Sequence, residues 1–148
     1  MTRTPEMQKL INDWLTFAKE NLLYARAGLK EDFSPFHTIC FLCHGSAEKY
    51  LKSYLISQGW ELDKIHDLRK LLVDALKYDQ SFSEIFDETG ILNRYIVEGR
   101  YPADIPFEMI GEKEAREAIA AAVTIEQFIL AKVRNLDQSS GEGAPSEV

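Results

Sequence analysis

The sequence lacks any apolar run long enough to cross a membrane, which takes about 18 to 20 residues. Its N-terminal segment, MTRTPEMQKLINDWLTF, carries acids and amides where a secretory signal would have an apolar core. These two absences predict a protein without a membrane span, and the second predicts a cytoplasmic location.

Cysteine is scarce, and Cys40 and Cys43 are the only two. Their spacing inside one apolar stretch favours reduced thiols packed in a core over a disulfide framework. With His44 they match the C-x-x-C-H pattern of haem attachment, and His37, Cys40 and His44 share a helical face that suits zinc. Haem attachment needs an open pocket, and zinc lacks a fourth ligand other than His66 or a carboxylate. We therefore predict packed core cysteines and neither a metal nor a cofactor.

Glycine and proline are sparse, at 8 and 5 of 148 residues, which leaves room for long helices. The sequence contains no GxGxxG or GxxxxGK[ST] loop, no HExxH pair and no GxSxG elbow. The signatures of common phosphate-cradling and hydrolytic sites are therefore missing. No run of alternating apolar and polar residues predicts a strand.

Positively charged residues are also outnumbered, because the sequence has 17 Lys and Arg and 24 Asp and Glu, which gives a net charge of −7. Proteins that bind nucleic acid non-specifically usually have the reverse balance. A local basic patch can still bind RNA or a nucleotide, because binding responds to the nearby field rather than to net charge alone.

Apolar residues recur every three or four positions in successive segments, a spacing typical of amphipathic helices. The pattern predicts an all-α fold in one domain over residues 1–135. Residues 136–148 are predicted to form a disordered acidic tail. The first predicted helix runs from Thr4-Pro5 to about Lys30, the second from Ser34-Pro35 to Gln58, and the last from about Glu112 to Arg134. A third, shorter helix begins near His66-Asp67. A fourth begins with a capping box formed by Ser81 and Glu84, and Thr89-Gly90 is predicted to kink or split it.

The second helix is apolar over most of its circumference, which is typical of a buried central helix. His44, Glu48 and Lys52 interrupt this pattern at positions i, i+4 and i+8, with Lys49 beside them. We name His44, Glu48 and Lys52 the polar seam. One interpretation makes the seam an exposed strip with a Glu48–Lys52 ion pair. The other places it in a groove between helices, where it meets the arginines that follow the fourth helix and holds an anion.

Arg94, Arg100 and Tyr101 cluster near the end of the fourth helix. Arginine suits phosphate because its planar fork donates two parallel hydrogen bonds, and a tyrosine ring can stack on a base. The alternative is structural, because Arg94 also stands four residues before Glu98 and an arginine past a helix end complements the helix dipole.

Four short motifs occur in a characteristic order and spacing: Phe36-His37, Gly45-Ser46-Ala47-Glu48-Lys49-Tyr50-Leu51-Lys52, His66-Asp67-Leu68 and Gly99-Arg100-Tyr101-Pro102. With the final helix, they make residues 8–134 resemble the HEPN family of small helical proteins. The resemblance implies an up-and-down bundle of four to five helices that dimerises and is often paired with a minimal nucleotidyltransferase as toxin and antitoxin. Many members are metal-independent RNases with an R-x4-6-H motif, and others bind nucleotides.

The chain departs from the R-x4-6-H motif, because none of His37, His44 and His66 lies four to six residues after an arginine. Our leading hypothesis is therefore a non-catalytic binding module, a homodimer that associates with a nucleotidyltransferase-type partner and holds a nucleotide or phosphate. The predicted ligand-binding residues are His44, Glu48, Lys49, Lys52, His66, Arg94, Arg100 and Tyr101.

Two alternatives stay open at this stage. The first is an RNase of altered active site, in which Arg94 or Arg100 stabilises the scissile phosphate and His44 or His66 is the general acid or base. The second is a dimer that serves protein interaction alone, with the apolar loop Gly99 to Gly111 either docking a partner or packing on its own core.

Overall fold

In the computed structural model of the chain, the residues described are 3–33, 35–95 and 109–140, without the side chains of 135–140. These ranges contain no strand. They form five α-helices and two short 3-10 helices, with α1 at Pro5–Gly28, α2 at Phe36–Ser57, α3 at Leu68–Leu76, α4 at Phe86–Leu92 and α5 at Glu112–Ser140. The predicted all-α bundle is confirmed. None of the helices described is both long and apolar enough to cross a membrane.

Helix α1 begins as its sequence predicts. The hydroxyl of Thr4 accepts a hydrogen bond from the backbone N–H of Met7 at 3.0 Å, and Pro5 occupies the first helical position, where its missing N–H costs nothing. The helix packs antiparallel on α2, with the Ser46 hydroxyl donating to the carbonyl of Ala18 at 2.8 Å. The two polar atoms satisfy each other within the core, which aligns the helices.

Helix α2 is the centre of the bundle and contacts α1, α3, α4 and α5. Of its 22 residues, 15 are buried. Its last helical residue is Ser57, next to the predicted end at Gln58. Gly59 follows with a φ of 91°, a left-handed conformation that glycine adopts without strain. The N–H of Trp60 donates to Leu55 and that of Gly59 to Ile56, both at 3.0 Å, the paired bonds of a Schellman ending.

Cys40 and Cys43 lie in the core between these helices, free and fully buried. Burial raises the pKa of the Cys40 thiol to about 11 and that of Cys43 to about 12. Both therefore remain protonated at neutral pH, as expected of the packed thiols that their spacing predicts.

The predicted capping box at Ser81 is wrong. Asp79 is the cap, because its Oδ1 accepts from the N–H of Ser81 at 2.9 Å and from its hydroxyl at 2.7 Å. The turn that follows, Gln80–Ile85, is a 3-10 helix that leads into α4. The break thus falls before Phe86, whereas Gly90 lies inside α4, where the guanidinium of Arg69 fills the space that a side chain would need.

Helix α5 continues to Ser140, beyond the end predicted near Arg134. Its last residue with a buried apolar side chain among those described is Val133. The apolar pattern predicts only the part of the helix that packs on the core, which explains the earlier predicted end. Residues 141–148 lie outside the described part of the chain, so disorder in the tail stays a prediction.

Candidate functional site

The polar seam of α2 lies inside the protein. His44 and Lys52 are each 3% exposed and Glu48 is 9% exposed. The interpretation of the seam as an exposed strip is therefore wrong. The ammonium of Lys52 faces the ring of Trp14 in α1, at 5.6 Å from its centroid. The seam is thus covered by α1 and by the segment that precedes α3.

Glu48 is the hub of the seam. Its Oε2 accepts a hydrogen bond from Lys52 Nζ at 2.7 Å and lies 3.1 Å from Nδ1 of His66. Because an ionised carboxylate only accepts, Nδ1 of His66 carries the proton. Nδ1 of His44 lies 3.9 Å from Oε1, too far for a hydrogen bond. The single carboxylate thus compensates a buried ammonium and orients a histidine.

His44 is held in one neutral form. Its Nε2 lies 2.9 Å from the backbone carbonyl of His66, and a carbonyl only accepts, so Nε2 carries the proton. Burial lowers the pKa of His44 to about 4, although the nearby Glu48 carboxylate opposes this. His44 is therefore neutral at physiological pH, and its one proton is already donated within the protein.

His66 is the member of this network that reaches solvent, with a side chain 44% exposed. Glu48 fixes the proton on Nδ1, so Nε2 is the unprotonated nitrogen whenever the ring is neutral. A carboxylate that fixes the tautomer of a histidine is also found where histidine acts as a base. Among the predicted residues, His66 has the geometry best suited to proton transfer.

Lys49 sits at the junction of α1 and α2, separate from the Glu48 hub. Its ammonium donates to Oδ1 of Asn21 at 2.8 Å and lies 4.9 Å from the centroid of Phe17. A Cβ on Gly45 would come within 3.3 Å of that ammonium, so the glycine provides its space. Burial lowers the pKa of Lys49. The α1 contributions were missed from sequence, although Phe17 and Asn21 stand one helical turn apart.

The structure does not bring Arg94 to the seam. Its Nη2 lies 3.2 Å from Glu117 of α5, and its Nε donates to the carbonyl of Ile91 at 3.3 Å. The neighbouring Tyr95 lies beside Cys40, a residue of α2 that precedes Lys52 by about three helical turns.

The other predicted site residues lie mostly outside the described part of the chain. Arg100 and Tyr101 fall there, as does most of the loop from Gly99 to Gly111. At the end of that loop, Met109 is 67% exposed, whereas Ile110 is buried. Within the described ranges, no group of three or more His, Cys, Asp or Glu side chains is arranged to hold a metal ion.

Comparison with known proteins gives one family and two similar structures. The family model described as HEPN domain matches residues 11–133. TT1696 from Thermus thermophilus has a similar structure, with a TM-score of 0.73, 26% identity, and coverage of 82% of this chain and 97% of that one. ST0689, an archaeal HEPN homologue, gives a TM-score of 0.68, 26% identity, and coverage of 90% and 99%. No curated protein matches the chain.

Proposed function

We propose that this chain, which belongs to the HEPN domain family, is a non-catalytic binding module. It forms a homodimer, associates with a nucleotidyltransferase-type partner in the manner of a toxin and antitoxin pair, and holds a nucleotide or phosphate. The non-catalytic part of this proposal rests on one observation, which is that the polar groups of the seam already have partners within the protein. Its ammonium, carboxylate and buried imidazole are each engaged by another group of the protein.

A general acid or base must reach the proton that it transfers. His44 is buried and donates its proton to a backbone carbonyl, so it does not meet that requirement. Lys52 is equally buried and bound to Glu48. The R-x4-6-H motif is also absent from the entire sequence, and this leaves no complete catalytic pair of the kind that the family resemblance implies.

The cations best placed for a ligand are Lys49 and Arg94. Among the described residues, Lys49 donates a hydrogen bond to the neutral amide of Asn21, and a phosphate oxygen is a stronger acceptor than an amide oxygen. The Arg94–Glu117 pair is about half exposed on both sides, and such pairs contribute only about 0 to 1 kcal/mol. A ligand phosphate can therefore replace Glu117. Arg100 and Tyr101 complete the proposed set of ligand contacts.

Isothermal titration with ATP, GTP and a short RNA tests the binding role. We expect Arg94→Ala and Arg100→Ala to weaken binding about tenfold each, as removal of a charge-assisted contact to phosphate does. Lys19→Ala is the matched control, because it removes one exposed positive charge from α1. No heat with the natural protein, or the same affinity in Arg100→Ala, contradicts the nucleotide part.

The homodimer is supported by an apolar row along α1. Leu10, Phe17 and Tyr24 repeat every seven residues and are 39%, 53% and 71% exposed, and such a repeat places them on one helical face. Light scattering should give twice the chain mass of 16.9 kDa, and Phe17→Glu should shift the protein toward the single-chain value. A single-chain mass for the natural protein contradicts the dimer.

The Glu48–His66 contact favours one second candidate, an RNase of altered active site. In it, Nε2 of His66 accepts a proton while Glu48 holds Nδ1. Cleavage of a labelled RNA should then be lost in His66→Ala and retained in His37→Ala. RNA left intact by the natural protein rules out this candidate, and cleavage that survives His66→Ala rules out its proposed base.

A further inference from the structure

A second surface, separate from the polar seam, lies between the end of α1 and the first half of α5. It is an open groove of about 340 Å³ lined by Arg26, Leu29, Arg116, Ile119, Ala120 and Val123. Both helices pack mainly on α2 rather than on each other, so a space remains between them. We name this space the Arg26–Arg116 groove.

The floor of the groove is apolar and is held by the fold. Leu29, Ile119 and Val123 are partly buried and pack against the hydrophobic core. Leu130, which is 39% exposed, follows Val123 by seven residues and so continues the same face of α5. We name Ile119, Val123 and Leu130 the apolar row. At 1.5 Å per residue the row is about 17 Å long, or roughly three helical turns.

The sides of the groove carry positive charge, although the protein has a net charge of −7. Arg26 belongs to α1 and Arg116 to α5. Lys19 and Lys30 stand seven residues before Arg26 and four residues after it, and both are exposed. These spacings place them on the same side of the chain's first helical axis as Arg26. The groove is therefore complementary in charge to an acidic partner.

The two arginines are available to such a partner. Within the described part of the chain, Arg26 makes no hydrogen bond or ion pair with another side chain. Arg116 binds Glu112 at 2.7 Å, but the two side chains are 62% and 58% exposed. Such an exposed pair contributes little to stability, so another carboxylate can replace Glu112. Glu126, a further acid of α5, is already engaged by the hydroxyl of Tyr50.

The shape of the groove favours a helix over an extended peptide. An extended peptide binds by adding a strand to the edge of a sheet, and the described ranges contain no strand. A helix satisfies its own backbone hydrogen bonds, so it can bind through side chains alone. The small side chain of Ala120, which lines the groove, leaves room for a helix to approach.

We infer that the Arg26–Arg116 groove docks an amphipathic helix of a protein partner, with leucine or a similar residue at every third or fourth position and acidic residues on its flanks. Its apolar side chains cover the apolar row, as in other helix-in-groove complexes. Its carboxylates accept paired hydrogen bonds from Arg26 and Arg116. The inference rests on the proposed association with a protein partner, and it names the face and the kind of element that the partner presents.

Three stapled helical peptides of about 18 residues, or roughly five turns, test this chemistry by fluorescence anisotropy with the full chain. The first has leucine on one face and glutamate on both flanks. The second has lysine in place of glutamate, and the third has glutamine in place of leucine. The first should bind, and the others should each bind at least about tenfold more weakly. No binding of the first peptide, or equal binding of either control peptide, overturns the inference.

Variants locate the site. Ala120→Glu should abolish binding of the leucine–glutamate peptide, because it places a larger, negatively charged side chain in the groove. Val73→Glu, which changes an exposed apolar residue of α3, is the matched control and should bind normally. Arg26→Ala and Arg116→Ala should each weaken binding about five- to tenfold. Glu112→Gln should strengthen it about two- to fivefold, because it releases Arg116 from its ion pair.

Two further measurements distinguish other occupants of the groove, with circular dichroism confirming that each variant is folded. If Ala120→Glu shifts the light-scattering mass to a single chain while Phe17→Glu does not, a second copy of the chain occupies the groove and the inference is overturned. Binding to phosphatidylglycerol vesicles that Ala120→Glu abolishes overturns it as well, in favour of a membrane surface.

The peptide results are independent of the nucleotide titrations. Absence of peptide binding, in a protein that binds ATP, GTP or RNA as proposed, overturns the groove and leaves the nucleotide part of the proposed function standing. Peptide binding that Ala120→Glu abolishes, in a protein that binds no nucleotide or RNA, supports the groove and contradicts only the nucleotide part.

Discussion

Nδ1 of His66 lies 3.1 Å from Oε2 of Glu48, although the two residues are 18 positions apart. The backbone carbonyl of His66 is held as well, because His44 of the same helix as Glu48 donates to it at 2.9 Å. His66 therefore holds the segment before α3 against the middle of α2 through two of its atoms, the ring Nδ1 and the backbone carbonyl oxygen. This double contact covers the polar seam and makes Glu48 important for stability.

We expect Glu48→Ala to lower the free energy of unfolding by about 3 to 5 kcal/mol, because it leaves the buried ammonium of Lys52 without a counter-charge. Urea denaturation measures this loss. The double variant Glu48→Leu/Lys52→Met should recover most of it, since the uncompensated charge is gone. Glu112→Ala, which breaks an exposed pair, should cost less than about 1 kcal/mol. A similar small cost for Glu48→Ala would contradict the buried hub.

His44 should make the protein less stable as pH falls from 6.5 to 4. Its pKa is about 4 in the folded protein against 6.5 unfolded, so within this window the unfolded chain binds a proton that the folded one does not. The contribution is fully present above pH 6.5, and the total loss is on the order of 3 kcal/mol.

Urea denaturation of the natural protein and His44→Gln at pH 7.5 and pH 5 isolates this effect. Glutamine keeps a donor but does not titrate, so the natural protein's advantage at pH 7.5 should shrink by about 2 kcal/mol at pH 5. The same difference between the two proteins at both pH values would show that His44 titrates normally.

Asp79 and Lys132 should stabilise the contact between α5 and the turn before α4. Lys132 Nζ lies 2.8 Å from Asp79, with side chains 25% and 30% exposed. Chiefly through this hydrogen bond, Lys132 lowers the pKa of Asp79 from 3.8 to about 2. Lys132→Met should therefore raise that pKa and cost about 1 kcal/mol at neutral pH, reduced by solvent screening.

A depressed carboxyl pKa gives stability above the unfolded value of 3.8 that is lost as pH falls through the folded value of about 2. The difference between the natural protein and Lys132→Met should disappear across that window, as urea denaturation at pH 7 and pH 2 measures. Lys9→Met, which breaks a well-exposed pair with Asp13, is the control, with an expected cost below about 0.5 kcal/mol.

Gly59→Ala should destabilise the end of α2 by about 1 to 2 kcal/mol, because alanine is strained at a φ of 91°. Gly59→Asn should cost less, since asparagine tolerates the left-handed conformation. Thermal or urea unfolding of the three proteins gives the order. Equal stability of the alanine and asparagine variants would mean that the strain has been relieved by a change of the Schellman ending.

Helix ends could be predicted where a single local residue decides them. Thr4 caps α1 through its hydroxyl, and this helix begins where the sequence predicts. Gly59 stops α2 through its positive φ angle, and this helix ends at Ser57, one residue before the predicted Gln58. Ser81 misled because Asp79, two residues earlier, is also a good cap. When two neighbouring residues are equally good caps, the local sequence does not determine which of them caps the helix. Here the packing of this turn against α5, through the hydrogen bond from Lys132 to Ser81, also contributes.

The polar seam shows where prediction from the sequence stops. The spacing of His44, Glu48 and Lys52 places them on one helical face, but an exposed strip and a buried network share that spacing. The choice depends on Trp14, which covers Lys52, and on His66, which binds Glu48. The sequence motifs include His66 but do not pair it with Glu48, and they do not mark Trp14, since both contacts arise only when distant segments pack.

The sequence by itself determined the all-α class, the buried central helix and the placement of most helix starts, because periodicity and capping act over a few neighbouring residues. It also determined that the R-x4-6-H pair is absent. Only the tertiary structure decided that the seam is buried and closed on Glu48, that Arg94 turns to Glu117, and that Arg26 meets Arg116 across an apolar groove. These relationships depend on the burial and approach of groups far apart in the chain, which no local pattern encodes.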